Sequence, residues 1–158
     1  MKIEIYLARQ RLCLRDGAAI RLEFAVSSAA RGGGEQNGSF CTPRGRHKVR
    51  AKIGAGAAPG TVFAGRRPTG EIYAPELGAS FSQRDWILTR ILWLSGLEPG
   101  RNRLGNVDTM RRYIYIHGTP DETRLGHPGS HGCIRMNNAD IIELFDATPV
   151  GTEVDLHE

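Results

Sequence analysis

Residues 127–136, HPGSHGCIRM, place two histidines within six residues of a single cysteine, Cys133. A cysteine that attacks a carbonyl needs one base to take its proton. Read as extended chain, residues 130–136 send Gly132, Ile134 and Met136 to one face and His131, Cys133 and Arg135 to the other. His131 and Cys133 then run side by side, roughly 6.5–7 Å apart at Cα, which is poor geometry for an S–H···N bond. A residue on an adjacent strand sits only about 4.5–5.5 Å away and leans across. In YIYIHG (113–118), Ile114 and Ile116 share one face while Tyr113, Tyr115 and His117 share the other. The twelve residues 118–129 are enough to bring that strand beside Cys133. His117 is therefore the expected base.

Further features bear on the sulfur. Flanking Gly132 lets a ligand approach the backbone closely. Arg135 and the start of the following helix are expected to lower the thiol pKa. The amides of Gly132 and Cys133 are placed to hold an oxyanion. Two other readings compete. One is a buried structural cysteine. The other is a zinc site from His117, His127, His131 and Cys133, but that spacing matches no closed structural pattern and offers one thiolate. No metal and no cofactor is therefore expected. His127, next to a proline, reads as a solvated loop histidine, and His47 as an exposed one on a polar strand. Cys13 and Cys41 read as small buried hydrophobes, and three scattered cysteines make no disulfide framework.

The elements that must hold these residues are mostly strands. KIEIYL (2–7) and RLCLRD (11–16) form a hairpin, and AIRLEFAVS (19–27) follows as a third strand. Residues 28–39 are glycine-rich and polar, a loop that does not pack. TPRGRHKVRAKIG (42–54) enters a strand from a proline turn, and TVFAGRR (61–67) is another. DWILTRILWLSG (85–96) fits a helix on period, yet its β-branched and aromatic content favours a bulged strand. RRYIYIHG (111–118) is the clearest strand. NNADIIELFDAT (137–148) is the one clear helix, capped by asparagine, with Ile141, Ile142, Leu144 and Phe145 buried. TEVDL (152–156) closes the chain as a strand. Residues 1–158 are expected to form one mainly β domain, with two packed sheets and one helix in the C-terminal half.

The chain of 158 residues carries a net charge of +4, mostly through arginine. No basic run with aromatic neighbours supports nucleic-acid binding, and no apolar stretch is long enough to span a membrane. MKIEIYLARQ alternates from its first residue and lacks the apolar run of an export signal. A cytoplasmic location is expected, or a periplasmic one for a chain trimmed of its leader. Oligomeric state is not legible.

YIYIHGTPDETRLGHPGSHGCIRMNNADIIELF, with upstream TPRGRH, resembles the YkuD-type L,D-transpeptidase catalytic domain. That family pattern is a histidine at a strand end, a variable loop, then Ser/Thr-His-Gly-Cys followed one residue later by Arg or Asn. Ser130, His131, Gly132, Cys133 and Arg135 match the block, and His117 with Gly118 matches the upstream histidine. The resemblance covers essentially the whole chain. It implies a β-sandwich-like fold and a cysteine acyl-enzyme acting on peptidoglycan stem peptides or muropeptides. Cys133 would attack the carbonyl at the L-centre of meso-diaminopimelate and expel terminal D-alanine. His117 would carry the proton, oriented by the Gly118 carbonyl. Gly132 would contribute an oxyanion-hole amide. His131 would line the pocket, Ser130 would fix the cysteine loop, and Arg135 would pair with a substrate carboxylate or only shape the local potential. Water as acceptor makes an L,D-carboxypeptidase, the reading favoured for a cytoplasmic chain facing recycled murein. An amine acceptor makes a transpeptidase or an exchange enzyme for D-amino acids. A non-catalytic murein-binding domain is the third reading. Loops 28–42 and 97–110 are candidate gates.

Overall fold

The computed structural model describes all of residues 1–158. The first three strands, β1 (Lys2–Tyr6), β2 (Arg11–Asp16) and β3 (Ala19–Ala25), form an antiparallel meander. Alternation in β1 and β2 drives it: Ile3, Ile5, Leu12 and Leu14 are buried on one apolar face, although Cys13 between the two leucines is buried as well and Ile20 of β3 is exposed. β4 (Gly45–Ile53) follows, then a hairpin of β5 (Thr61–Ala64) and β6 (Arg67–Ile72) where a single strand was expected. Gly65 and Arg66 close that hairpin, both at positive φ, the twist that tight two-residue turns require. A six-residue helix, α1 (Pro75–Ser80), is an addition to the expected elements.

β7 (Ile87–Gly96) is the organising strand. It pairs with β4 and β5 along one edge and with β8 (Tyr115–Gly118) along the other. Its register shifts between Leu88 and Ile91, so the expected bulged strand is present. β9 (Ile134–Met136) lies parallel to β8, and α2 (Asn138–Ala147) leads from it to β10 (Glu153–His157). β10 inserts between β1, parallel, and β4, antiparallel.

The main hydrogen-bonded order is β3-β2-β1-β10-β4-β7-β5-β6, with β8 and β9 branching from β7. One ladder thus runs through all ten strands, and residues from both wings meet in a main core, with a smaller cluster of Phe63, Ile91 and Tyr115 apart from it. Ile3, Ile5, Leu12 and Val154 pack there with Leu92, Ile116, Ile134 and Met136. α2 contributes Ile141, Leu144 and Phe145; Ile142, expected inside, is only half-buried. Asn137 caps α2, its side chain accepting the Ala139 amide at 2.9 Å.

Candidate active site

Residues 111–113 depart from the expected strand. The Asp108 carboxylate accepts the Arg111 amide at 3.0 Å, and its carbonyl accepts the Arg112 amide at 3.1 Å. The chain turns there, with Tyr113 at φ 56°, and only then extends. The two faces separate from Ile114 on: Ile114 and Ile116 enter the main core, and Tyr115 packs with Phe63 and Ile91 on the other side. Tyr113 itself is exposed.

β8 and β9 align His117 with Arg135 in parallel register. Cys133, two residues before Arg135, is thus a diagonal neighbour of His117, one step further than a directly opposed pair. His117 is fully buried. Its Nδ1 donates to the Gly118 carbonyl at 2.6 Å, and Nε2 has no partner. Donation from Nδ1 leaves Nε2 with an open lone pair, the form a general base needs. Burial lowers the His117 pKa, with Asp85 opposing, so the ring rests neutral. Gly118 has no room for a side chain, since a Cβ would collide with Asn138 Oδ1 and the Leu88 carbonyl.

The Cys133 thiol does not bond to the imidazole in this state. Sγ donates to the Tyr113 carbonyl and accepts the Tyr115 amide, each at 3.3 Å. The expectation of a depressed thiol pKa is overturned. Burial pushes it up to about 12, and the opposing pull of Arg112 and Arg135 is smaller. Desolvation of a thiolate outweighs two cations that are themselves half-buried.

Ser130 is buried, donates to the Cys133 carbonyl at 2.6 Å and accepts the Gly132 amide at 3.2 Å. That second bond engages the amide expected to face an oxyanion. Gly132 sits at φ 137°, which admits no ordinary side chain. Arg135 is half-buried and donates to Ser27 Oγ at 2.7 Å, so it is not a solvated arginine. His131 is exposed, edge-on to Phe40 at 6.0 Å between centroids. His127 is exposed on its loop, and no three His, Cys, Asp or Glu side chains converge in metal-binding geometry. His47 contradicts its expected exposure: it is fully buried, with Nδ1 2.9 Å from the Gly45 carbonyl and Nε2 2.9 Å from Thr109 Oγ1. Cys13 is buried, whereas Cys41 is only half-buried.

Cys133 opens into a cavity of about 400 Å³ whose walls include Arg66, Asp85, Arg112, Tyr113, Tyr115 and His131. Several of its supports were not read from the sequence. Thr42 Oγ1 accepts the Ala29 amide at 3.0 Å and donates to the Gly132 carbonyl at 2.8 Å. Ala29 and Ser28, in the loop expected not to pack, are buried; the Ala30 amide bonds to the Ser130 carbonyl at 2.9 Å. Arg112 ties the Cys41 carbonyl at 2.6 Å. Arg66 lies 4.8 Å from the centroids of both Trp93 and Tyr113 and donates to Tyr115 Oη at 3.0 Å. Asp85 makes no hydrogen bond or ion pair and is the cavity's one carboxylate. The TPRGRH segment containing Thr42 was the available signal; nothing in the sequence marked Asp85 or Arg66.

Comparison with known proteins bears on this arrangement. A family model described as the L,D-transpeptidase catalytic domain matches residues 1–156. Bacillus subtilis YqjB, named as an L,D-transpeptidase, is 51% identical over 43 residues, 27% of this chain and 24% of that protein. Bacillus subtilis YkuD is 43% identical over 47 residues, 30% of this chain and 29% of its own length. Among solved structures, the L,D-transpeptidase of Xylanimonas cellulosilytica superposes with a TM-score of 0.56 at 21% identity, covering 98% of this chain and 59% of that one. The Enterococcus faecium L,D-transpeptidase C442S mutant gives 0.59 at 18% identity, covering 98% and 48%. These two share the fold. The matches cover between 14% and 60% of the length of the proteins concerned.

Proposed function

The chain belongs to the YkuD L,D-transpeptidase catalytic domain family, and from that premise we propose that it is a cysteine acyl-transfer enzyme acting on peptidoglycan stem peptides, with water as its acyl acceptor. The observation that carries the acyl-transfer part of this reading, whichever the acceptor, is the unpartnered, fully buried Nε2 of His117, on the strand beside Cys133, with Nδ1 pinned to Gly118. A buried polar atom left without a partner is costly, and such atoms concentrate where chemistry supplies the partner.

In the proposed reaction, Cys133 turns from the Tyr113 carbonyl toward Nε2. The sulfur attacks the carbonyl at the L-centre of meso-diaminopimelate while His117 takes the thiol proton. The Cys133 amide, together with a Gly132 amide released from Ser130, faces the developing oxyanion. Collapse breaks the bond to D-alanine, whose amine leaves with the proton from His117. Water, deprotonated by the same imidazole, then cleaves the thioester and returns the thiol. Tetrapeptide becomes tripeptide. Arg112 and His131 border the approach, and Arg135 acts through Ser27 to hold the segment 130–135. A role in cytoplasmic murein recycling is part of this proposal.

The transpeptidase reading is favoured by the names of the matched relatives and differs only in the acceptor. Incubating the protein with a purified tetrapeptide muropeptide and D-methionine, then weighing the products, separates the two. Mainly tripeptide supports hydrolysis; exchanged tetrapeptide or dimers replace it with transfer. Cys133→Ala must abolish both, and unchanged turnover in that variant rejects the nucleophile.

A further inference from the structure

A second cavity, of about 640 Å³, adjoins the cysteine pocket through Tyr113, which lines both. Its floor is built by strand alternation. Lys48 and Arg50 are two apart on β4 and project to the same side, away from buried His47 and Val49. Trp93 and Ser95 on β7 share that side, Ser95 directly opposite Lys48. The loop carrying Arg103 and Arg111 forms the other wall.

Four cations therefore line one groove, and none of them pairs with a protein carboxylate, although eight other lysines, arginines and histidines of the chain do. The groove's one acid, Asp108, turns its oxygens onto the Leu104 and Arg111 amides at 2.7 and 3.0 Å. Its oxygens answer backbone donors, and its charge acts on Arg111 without a direct ion pair. Asp108, and Glu153 across the ladder from Lys48, offset only part of the four positive charges, and an anionic ligand neutralises the remainder.

We propose that this groove binds the carboxylate-bearing part of the stem peptide whose acyl group reaches Cys133. The proposal rests on the peptide substrate assigned above and gives that peptide its second point of attachment. Cations spaced along the groove, with Lys48 and Arg50 roughly 6.5–7 Å apart at Cα, suit separate carboxylates on an extended peptide. A compact phosphate would call for donors converging on one point. Trp93 and exposed Tyr113 provide apolar surface between the charges for the peptide's methylene segments.

The test uses the full chain carrying Cys133→Ala, which binds without turnover, titrated calorimetrically with a free stem tetrapeptide ending in meso-diaminopimelate–D-alanine. Adding Arg50→Gln and Arg111→Gln, both at exposed positions, is expected to weaken binding roughly tenfold, two exposed ion pairs being lost, and to flatten its salt dependence. A tetrapeptide with amidated side-chain carboxylates is expected to bind the parent as weakly as the unmodified peptide binds the double variant. Unchanged affinity in that variant, equal affinity for the amidated peptide, or no binding at all overturns the groove. Displacement of the peptide by inorganic pyrophosphate at lower concentration assigns the cations to phosphate and also overturns it. D-Alanine release by the unsubstituted protein is scored separately. Release with variant-insensitive binding removes the groove and leaves the reaction; variant-sensitive binding without release does the reverse.

Discussion

The neutral resting state of Cys133 has a measurable consequence. A thiol at its ordinary pKa of 9.0 is roughly one-tenth thiolate at pH 8; one at about 12 is on the order of a thousandfold less ionised. The thiolate that does form is more nucleophilic, since reactivity toward disulfides rises with thiol basicity with a slope of about 0.4–0.5. Over this range that recovers about 15- to 30-fold, leaving a net slowing of roughly 30- to 60-fold. The assay is the rate of reaction with a small disulfide reagent, followed by absorbance of the released thiol, in a variant where Cys13 and Cys41 are serine. The rate is expected to climb tenfold per pH unit from 7 to 10 with no plateau. His117→Ala, which removes turnover, is expected to change this rate less than threefold, because the resting sulfur bonds to Tyr113 and Tyr115 backbone and not to the ring. A plateau below pH 8 that disappears in His117→Ala refutes the reasoning, because it would mean a preformed thiolate–imidazolium pair.

Two further outcomes follow from other buried groups. Burial lowers the His47 pKa to about 4 from 6.5, with Arg101 assisting and the Gly45 carbonyl, Glu98 and Asp155 opposing. The unfolded chain therefore binds a proton that the folded one refuses between those values. Its contribution is complete above pH 6.5 and lost as pH falls toward 4, about 3 kcal/mol across the window. Urea titrations at pH 7.5 and 4.5 are expected to show that much less pH sensitivity in His47→Gln than in the parent, and equal sensitivity rejects the assignment. Thr42→Val removes the acceptor of the buried Ala29 amide and the donor to the Gly132 carbonyl. It is expected to cost about 2 kcal/mol and to lower kcat more than KM, as measured by denaturation and D-alanine release; full activity at parental stability would show that this tie does not hold the cysteine segment.

The parts of the site legible in the sequence are those whose positions follow from short-range rules. Alternation in 130–136 places Cys133 and Arg135 against Ile134 and Met136, and two apolar strands joined by a long loop were expected to lie side by side, though no local pattern indicated that they pair in parallel. The supports come from far along the chain. Thr42 reaches a carbonyl 90 residues away, and no local pattern encodes that reach. His47 is a different kind of miss, because its signal was present. It lies two residues before buried Val49, so period two puts it inside, yet its charged neighbours Arg46 and Lys48 suggested a polar strand. The same alternation, followed through, places Lys48 and Arg50 together on the opposite face. The turn at 111–113 defeated the strand pattern because Asp108 captures amides that a ladder would otherwise use.

Desolvation also decides how the proposed proton transfer must run. It raises the thiol pKa to about 12 and lowers that of the imidazole, so both shifts widen the gap between the two and oppose forming the ion pair before attack. Asp85 narrows the gap from the histidine side and widens it from the cysteine side, so it does not remove it. A sulfur forming a bond to carbon loses its basicity as the bond forms, whereas the imidazole keeps its own. The proton therefore leaves during attack, with the substrate carbonyl already in place. Such a thiol rests protonated in an open cavity and ionises only against the carbonyl it attacks. That is the form of activation a buried histidine without a carboxylate partner can supply.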